Sequence, residues 1–275
     1  MRKLKQIIRK IIPRNILRVI VPLFRKIKIA NYINSLIHHG KVVFCPCCNK
    51  SFNTFLDYKF KKQYKSRFID FYRNTICPNC GSKPRHRMLC YLFNENRYLP
   101  SHPSSDIAKT EILIFAAENS IKKWFNGAKY KYITADLFSL FADIQIDIEK
   151  TPFPDDNWSL IICNHVLQHV KNYKKALIEL KRILRKGGIL ALTVATNRSL
   201  ETVYEDINAN SGEQRYKLYG EEDYFRIFGN DVKIILEDIG FSVEVINGDS
   251  LPKEIRPVIG PAVQDDNRIY ICKKS

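Results

Sequence analysis

Two cysteine pairs carry the most explicit chemistry in this chain. They read Cys45-Pro46-Cys47-Cys48 and Cys77-Pro78-Asn79-Cys80-Gly81. Two C-x-x-C knuckles separated by 28 residues can set four thiolates tetrahedrally around one zinc ion. Pro46, Pro78 and Gly81 suit the tight turn that each knuckle needs. Four thiolates leave no open coordination position, so zinc at Cys45, Cys48, Cys77 and Cys80 is expected to be structural. Cys47 could replace Cys45 as a ligand, and the thiols could also stay reduced without metal. The spacing suits a metal better than a secreted disulfide framework. Arg85-His86-Arg87 follows the second knuckle. It reads as a solvated basic face opening a helix over Met88–Asn94, with His86 as an alternative contact to a substrate or partner.

A second set of polar residues lies further along: Glu118, Asp136, Asp147, Asn164, His165 and His169. Their meaning depends on the elements that carry them. From residue 111 the pattern alternates between short apolar runs and helix-period runs, which indicates an α/β unit with a mostly parallel sheet. Strands are expected at Glu111–Ala116, Tyr130–Ala135, Ile144–Ile148, Trp158–Cys163 and Ile189–Thr196, with two final strands at Phe241–Asn247 and Asn267–Lys273. Helices are expected at Ser120–Phe125, with Trp124 and Phe125 inward, and after Asn172 and Asp231 as caps. In an open sheet of this kind, ligands bind beyond the carboxyl ends of the strands. All six polar residues fall there. A carboxylate after the second strand suits ribose hydroxyls, because it can accept two hydrogen bonds from a vicinal diol.

The stretch from Asp147 to Gly188 is the most specific. It runs D-x-E, TPFPDDNWSLIICNHVLQHV and ALIELKRILRKGG. Residues 111–273 thereby resemble a class I S-adenosylmethionine-dependent methyltransferase of the type 11 subgroup. The combination with CPCC…CPNCGSKPRHR resembles a bacterial group that joins a cysteine module to this domain. The resemblance implies a Rossmann-like, seven-stranded, mostly parallel sheet with an antiparallel last strand. It also implies a cofactor, S-adenosylmethionine, held by Ala116, Ala117 and Glu118 at the methionine part. Asp136 would take the ribose and Asp147-Ile148 the adenine region, with Asn164 and His165 bordering them. His169 is the candidate general base, or the group that orients the acceptor, and His165 stands beside it. Three departures stand out. The family's glycine-rich first motif is here Phe115-Ala116-Ala117-Glu118-Asn119-Ser120, Ser159 replaces an acid, and Gln168 replaces the Glu of "HVLEHV". S-adenosylmethionine has no phosphate, so small Ala116 and Ala117 can still leave room for it, and Glu118 can meet its ammonium.

Residues 197–230 form a long connection rich in carboxylates, cations and aromatic rings. Such connections often shape substrate sites. Arg215, Tyr219 and Arg226 are the substrate candidates within it, and the mixture suits a sugar or another polar acceptor.

The charge is uneven. The chain carries +17 overall, yet residues 1–93 hold 21 Lys/Arg against two acids, and the remainder is slightly acidic. Basicity is therefore weak support for nucleic-acid binding by the C-terminal domain. The apolar stripe Leu4, Ile7, Ile8, Ile11 and Ile12 is flanked by Arg2, Lys3, Arg9 and Lys10. A basic amphipathic leader of this kind suits an anionic membrane surface, or packing on a protein body. No run of about 18 apolar residues and no cleavage site appears. The expected location is the cytoplasm, with peripheral binding at the inner membrane face. The expected division is a leader at 1–40, a zinc-binding module at 41–100 and a methyltransferase domain at 106–275. The first reading of function is methylation of a small-molecule or glycan-linked acceptor. An RNA methyltransferase docking through the basic module and a non-catalytic zinc-stabilised binding protein are the alternatives.

Overall fold

The computed structural model describes residues 29–59, 71–100, 111–255 and 268–275. The amphipathic stripe of residues 4–27 lies outside the described residues. Residues 29–37 are helical and expose Ile29, Tyr32, Ile33, Leu36 and Ile37. Among the described residues, no helix is long and apolar enough to cross a membrane.

Seven strands form the central sheet: β5 (Ile112–Phe115), β6 (Ile133–Asp136), β7 (Ile144–Gln145), β8 (Trp158–Asn164), β9 (Leu184–Thr193), β10 (Phe241–Asn247) and β11 (Arg268–Lys274). Their order is β10-β11-β9-β8-β5-β6-β7. The five strands from β9 to β7 pair in parallel, and β11 runs antiparallel between β9 and β10. This is the Rossmann-like arrangement expected from the sequence. Residues of β5 and β8 are buried throughout, as parallel strands covered on both faces must be.

Two helix layers cover the sheet. On one face, α3 (Tyr173–Ile183) and α5 (Val232–Asp238) contribute Leu177, Leu180, Val232 and Leu236 to a core with Leu113, Ile161, Cys163 and Leu192. Asn172 caps α3 as expected, accepting the Lys175 N–H at 3.0 Å. Asp231 does not cap α5 with its side chain; its Oδ2 accepts the Val203 N–H instead. Helix α3 stops at Ile183 and β9 starts immediately at Leu184, so Gly187-Gly188 lies within the strand rather than ending the helix.

The opposite face is covered by α1 (Pro84–Asn94), α2 (Asn119–Gly127) and the cysteine module. That module consists of two antiparallel ribbons. The first is β1 (His39–Cys45) with β2 (Lys50–Phe52), and the second is β3 (Leu56–Lys59) with β4 (Phe71–Ile76). Phe52, Phe55, Met88, Leu89 and Phe93 share one apolar core with Ile112, Ile114, Leu160, Ile162, Ile269 and Ile271 of the sheet. Phe93 of α1 meets Trp124 and Phe125 of α2 at 5.3 and 5.6 Å between ring centroids. Such pairs add about 0.5–1.5 kcal/mol each beyond the area they bury. The module thus serves as one cover of the sheet.

Residues 85–87 depart from the solvated face expected of them. Helix α1 begins at Pro84, one turn before Met88, and Arg85, His86 and Arg87 are all buried. Arg87 is fully enclosed. Its Nη1 donates to the carbonyls of Thr75 (2.6 Å) and Ser82 (3.0 Å), and its guanidinium lies 3.9 Å over the Phe55 ring.

Candidate active site

The chain order reverses between β5 and β8, and a cleft of about 550 Å³ opens beyond their carboxyl ends. That is the switch point where open α/β sheets bind ligands, and the volume suits a cofactor-sized molecule. Its walls include Phe115, Ala116, Asp136, Leu137, Phe138, Asp147 and Ile148 on one side. His165, Val166, His169, Lys171, Arg215, Asp223 and Phe225 line the other.

Two wall residues bend the backbone into the left-handed region, which non-glycine residues rarely adopt. Ala116 has φ +47° at the end of β5 and His165 has φ +52° at the end of β8. Strain of this kind concentrates at ligand sites. Ala116 accomplishes with a methyl group the turn for which the family uses glycine, and its N–H is tied to the Ala135 carbonyl at 2.8 Å.

Asp136 ends β6. Its Oδ1 accepts the N–H groups of both Phe138 and Ser139 at 2.8 Å, which fixes the carboxylate and leaves Oδ2 outside these two bonds. Asp147 accepts the Glu149 N–H at 2.8 Å. Asn164 is buried, and its Oδ1 accepts the Thr193 hydroxyl at 3.3 Å. Its Nδ2 has no hydrogen-bond partner among the described residues. A buried donor in that state calls for a ligand or water partner. Asn164, expected to border the cofactor, is not among the residues lining the cleft; the small turn at Ala116 and the fixed acid at Asp136 fit a nucleoside cofactor there.

On the other wall, His169 Nδ1 lies 3.0 Å from Asp223 Oδ2. His169 also packs edge-on against Tyr224, with 4.8 Å between ring centroids. His169 comes from the short 3₁₀ turn after β8, and Asp223 comes from the long connection. The hydrogen bond to His169 outweighs burial and holds the Asp223 carboxyl below its ordinary range. Asp223 was not among the sequence candidates. Its signal was the third of three consecutive acids, Glu221-Glu222-Asp223, in a charged connection, and only folding brings it to His169.

The long connection is well structured. It contains α4 (Gly212–Tyr219), opened by a capping box in which Ser211 and Gln214 bond reciprocally and closed by Gly220 at φ +86°. Bridges from Thr196 to Phe228 and from Tyr204 to Ile227 tie its two ends together.

The remaining sequence candidates are distributed as follows. Arg215 reaches the cleft and donates to the Glu222 carbonyl at 2.8 Å. Tyr219 is fully buried, and its hydroxyl accepts the Asp206 N–H at 2.7 Å. Arg226 is fully buried too. It donates to the carbonyls of Leu167 and Lys171 at 2.8 and 2.9 Å, to that of Val170, and to Glu205 at 2.7 Å. It therefore clasps the backbone on both sides of His169. Ala117 lines a smaller hollow beside the cleft, and Glu118 stands at the N-terminal cap position of α2 without a side-chain capping bond and does not line the cleft. Gln168 is buried and donates to the His165 carbonyl at 2.8 Å. An amide can make that bond in a closed interior, where an ionised Glu cannot donate and is costly to bury.

Cys45, Cys48, Cys77 and Cys80 converge, with all four sulfurs within 4.8 Å of one another. Cys45–Cys80 and Cys48–Cys77 are each 3.7 Å apart. That is too long for a disulfide, and it matches the edge of about 3.8 Å expected for four sulfurs each about 2.3 Å from a zinc ion. Gly81, at φ +70°, closes the second knuckle with its N–H on the Cys77 carbonyl. Cys47 is buried and lies outside this cluster.

Residues 117–192 match the model of the type 11 methyltransferase family, described as a methyltransferase domain. Two uncharacterized proteins of Methanocaldococcus jannaschii are each 29% identical, over 123 and 94 residues. The first match covers 38% of this chain and 54% of that protein, and the second covers 34% and 42%. The chain thus spans about half the length of these curated relatives. Among solved structures, the CurJ carbon methyltransferase has a TM-score of 0.47 at 18% identity, over 70% of this chain and 54% of that one. A SAM dependent methyltransferase from Archaeoglobus fulgidus has a TM-score of 0.47 at 13% identity, over 70% and 95%.

Proposed function

We propose that this chain, whose residues 117–192 form a methyltransferase domain of the type 11 family, methylates a hydroxyl of a small-molecule or glycan-linked acceptor with S-adenosylmethionine as donor. The observation that carries this reading is the His169–Asp223 pair at 3.0 Å on the wall of the strand-end cleft. It has the arrangement of a general base with its orienting carboxylate.

When bound, the cofactor supplies an electrophilic methyl group on a sulfonium. Asp136 would hold the ribose, Asp147 and Ile148 would border the adenine, and Ala116 would give the methionine part room. Asp223 accepts a hydrogen bond from Nδ1–H of His169, which directs Nε2 toward an acceptor hydroxyl. His169 would take the acceptor hydroxyl proton, and Asp223 would stabilise the resulting imidazolium. Lys171, Arg215 and the Phe225 ring provide charge and an aromatic face for a polar acceptor. Arg226 fixes the backbone around His169, so the base is held by a rigid turn.

Cys45, Cys48, Cys77 and Cys80 would hold one structural zinc ion. The buried Arg87 offsets the negative charge that four thiolates bring to that core. The basic leader docks the enzyme on an anionic membrane surface, a reading favoured by the apolar side chains exposed on helical residues 29–37.

Transfer of labelled methyl from the cofactor to cell extracts, fractionated as small molecules, glycan, RNA and protein, tests the function. Label in the small-molecule or glycan fraction supports it, and label confined to RNA or protein overturns it. Flotation with anionic liposomes, compared between the full chain and a chain shortened to begin at Lys41, tests the docking. Equal flotation removes that part.

A further inference from the structure

The turn from β6 to β7 reads Leu137-Phe138-Ser139-Leu140-Phe141-Ala142 between Asp136 and Asp143. Its four large apolar side chains face solvent. Phe138 and Leu140 are 83% and 81% exposed, Phe141 63% and Leu137 50%. One exposed apolar side chain is ordinary on a protein surface. Four within one short turn form a patch, and such patches mark binding surfaces.

The backbone beneath the patch is fixed. Asp136 Oδ1 holds the Phe138 and Ser139 N–H groups, the Ser139 hydroxyl accepts the Phe141 N–H at 3.2 Å, and the Ser139 carbonyl accepts that of Ala142 at 3.2 Å. Asp143 Oδ2 closes the turn on the Thr134 N–H and hydroxyl at 2.8 and 2.7 Å. The polar groups are satisfied within the turn and the apolar ones are presented outward. A turn held in this way loses less conformational entropy on contact.

Leu137 and Phe138 also line the strand-end cleft, so the patch forms part of its rim. Lys122 of α2 shares a hollow with Ser139 and Phe141, and Lys123 beside it is exposed. Phenyl and isobutyl groups next to ammonium groups complement an anionic bilayer, whose acyl chains take the first and whose headgroups take the second. A second copy of the chain is a poorer occupant. Four side chains offer on the order of 500 Å² at most, against about 800 Å² per partner in a stable protein interface. Each copy also carries +17, which opposes self-association.

We propose that the turn at 137–141 inserts into an anionic bilayer and sets the mouth of the cleft against the membrane. The acceptor hydroxyl then belongs to an amphiphile whose apolar part stays in the bilayer while its polar head enters the cleft beside His169. This rests on the methyltransferase reading and on the membrane docking given above, and it fixes which face of the catalytic domain meets lipid.

The test uses the full chain with vesicles of equal parts phosphatidylglycerol and phosphatidylcholine whose acyl chains are brominated, which quenches tryptophan on contact. The native Trp124 and Trp158 are buried, so wild-type emission is expected to change little. Leu140→Trp is expected to lose at least half of its added emission on these vesicles. Leu140→Glu combined with Phe141→Glu is expected to weaken vesicle binding tenfold or more with an unchanged Tm. Flotation of the chain with unquenched Leu140→Trp emission overturns the inference and leaves the leader docking and the methyltransferase reading standing. Unchanged vesicle affinity in the doubly charged variant overturns it as well. Failure of the full chain to float overturns both membrane readings. If the double substitution lowers Tm, Leu140→Glu alone decides the affinity, since Leu140 lines neither the cleft nor the adjoining hollow.

Discussion

His169 Nδ1 lies 3.0 Å from Asp223 Oδ2, although 53 residues of chain separate them and the two belong to different elements. The contact brings a strand-end histidine and a loop acid to one wall of the cleft. Asp223→Asn keeps the shape but cannot hold the tautomer that frees Nε2. It is expected to lower kcat by about 10²-fold or more while leaving cofactor affinity within twofold. Methyl-transfer kinetics with calorimetry check the split. A loss in cofactor binding matching the loss in kcat would count against a base-orienting role.

Arg226 makes its bonds to three carbonyls and one carboxylate with no exposed surface. Arg226→Ala leaves those acceptors unpaired and is expected to cost about 3–5 kcal/mol. Arg226→Lys is expected to recover little, because a single ammonium cannot span the fork. Thermal unfolding measures both. A Tm within 2 °C of wild type for the alanine variant, taking about 2–4 °C per kcal/mol for a chain of this size, would contradict the clasp.

The cysteine geometry predicts one zinc per chain. Cys45→Ala is expected to abolish stoichiometric zinc and destabilise the shared core, while Cys47→Ala retains it, since Cys47 lies outside the four-sulfur cluster. Metal analysis of purified variants distinguishes them. Retention of a full equivalent by Cys45→Ala would assign the ligand role to Cys47 instead.

Glu179 joins two parts of the fold. Its Oε1 accepts the Thr151 N–H and hydroxyl at 2.8 and 2.7 Å, and both of its oxygens accept from Arg182. The Arg182 contact, foremost, pulls its carboxyl down to about 2. The folded pKa is thus below the unfolded value, so the contribution is complete above about pH 4.5 and is lost as pH falls toward 2. Glu179→Gln is expected to cost about 1–2 kcal/mol at neutral pH, discounted for partial exposure, and to flatten that part of the acid limb. Urea unfolding between pH 7 and 3 tests this, and an unchanged acid limb would contradict it.

Much of the sheet was legible because buried parallel strands are written as local apolar runs. Phe241–Asn247 coincides with β10, and Trp158–Cys163 differs from β8 by one residue. β9 starts at Leu184, five residues before the expected Ile189, because α3 gives way at Ile183 where pairing with β8 begins. The order S-x-x-Q…G at Ser211, Gln214 and Gly220 did encode α4, as a capping box and a left-handed close. Arg85, His86 and Arg87 could not be read locally. Their burial depends on carbonyls at Thr75 and Ser82 and on a carboxylate at Glu118. The same holds for Asp223, whose partner is distant in sequence.

The central claim is that the strand-end cleft holds the nucleoside cofactor of a methyltransferase. Titration calorimetry of the full chain with S-adenosylhomocysteine tests it most directly, with Asp136→Ala as the paired variant. The account predicts one site per chain with a micromolar Kd, weakened at least tenfold by Asp136→Ala, whose Oδ2 is assigned to the ribose. No binding at millimolar ligand by a folded, zinc-loaded chain, or binding indifferent to Asp136→Ala, would contradict it.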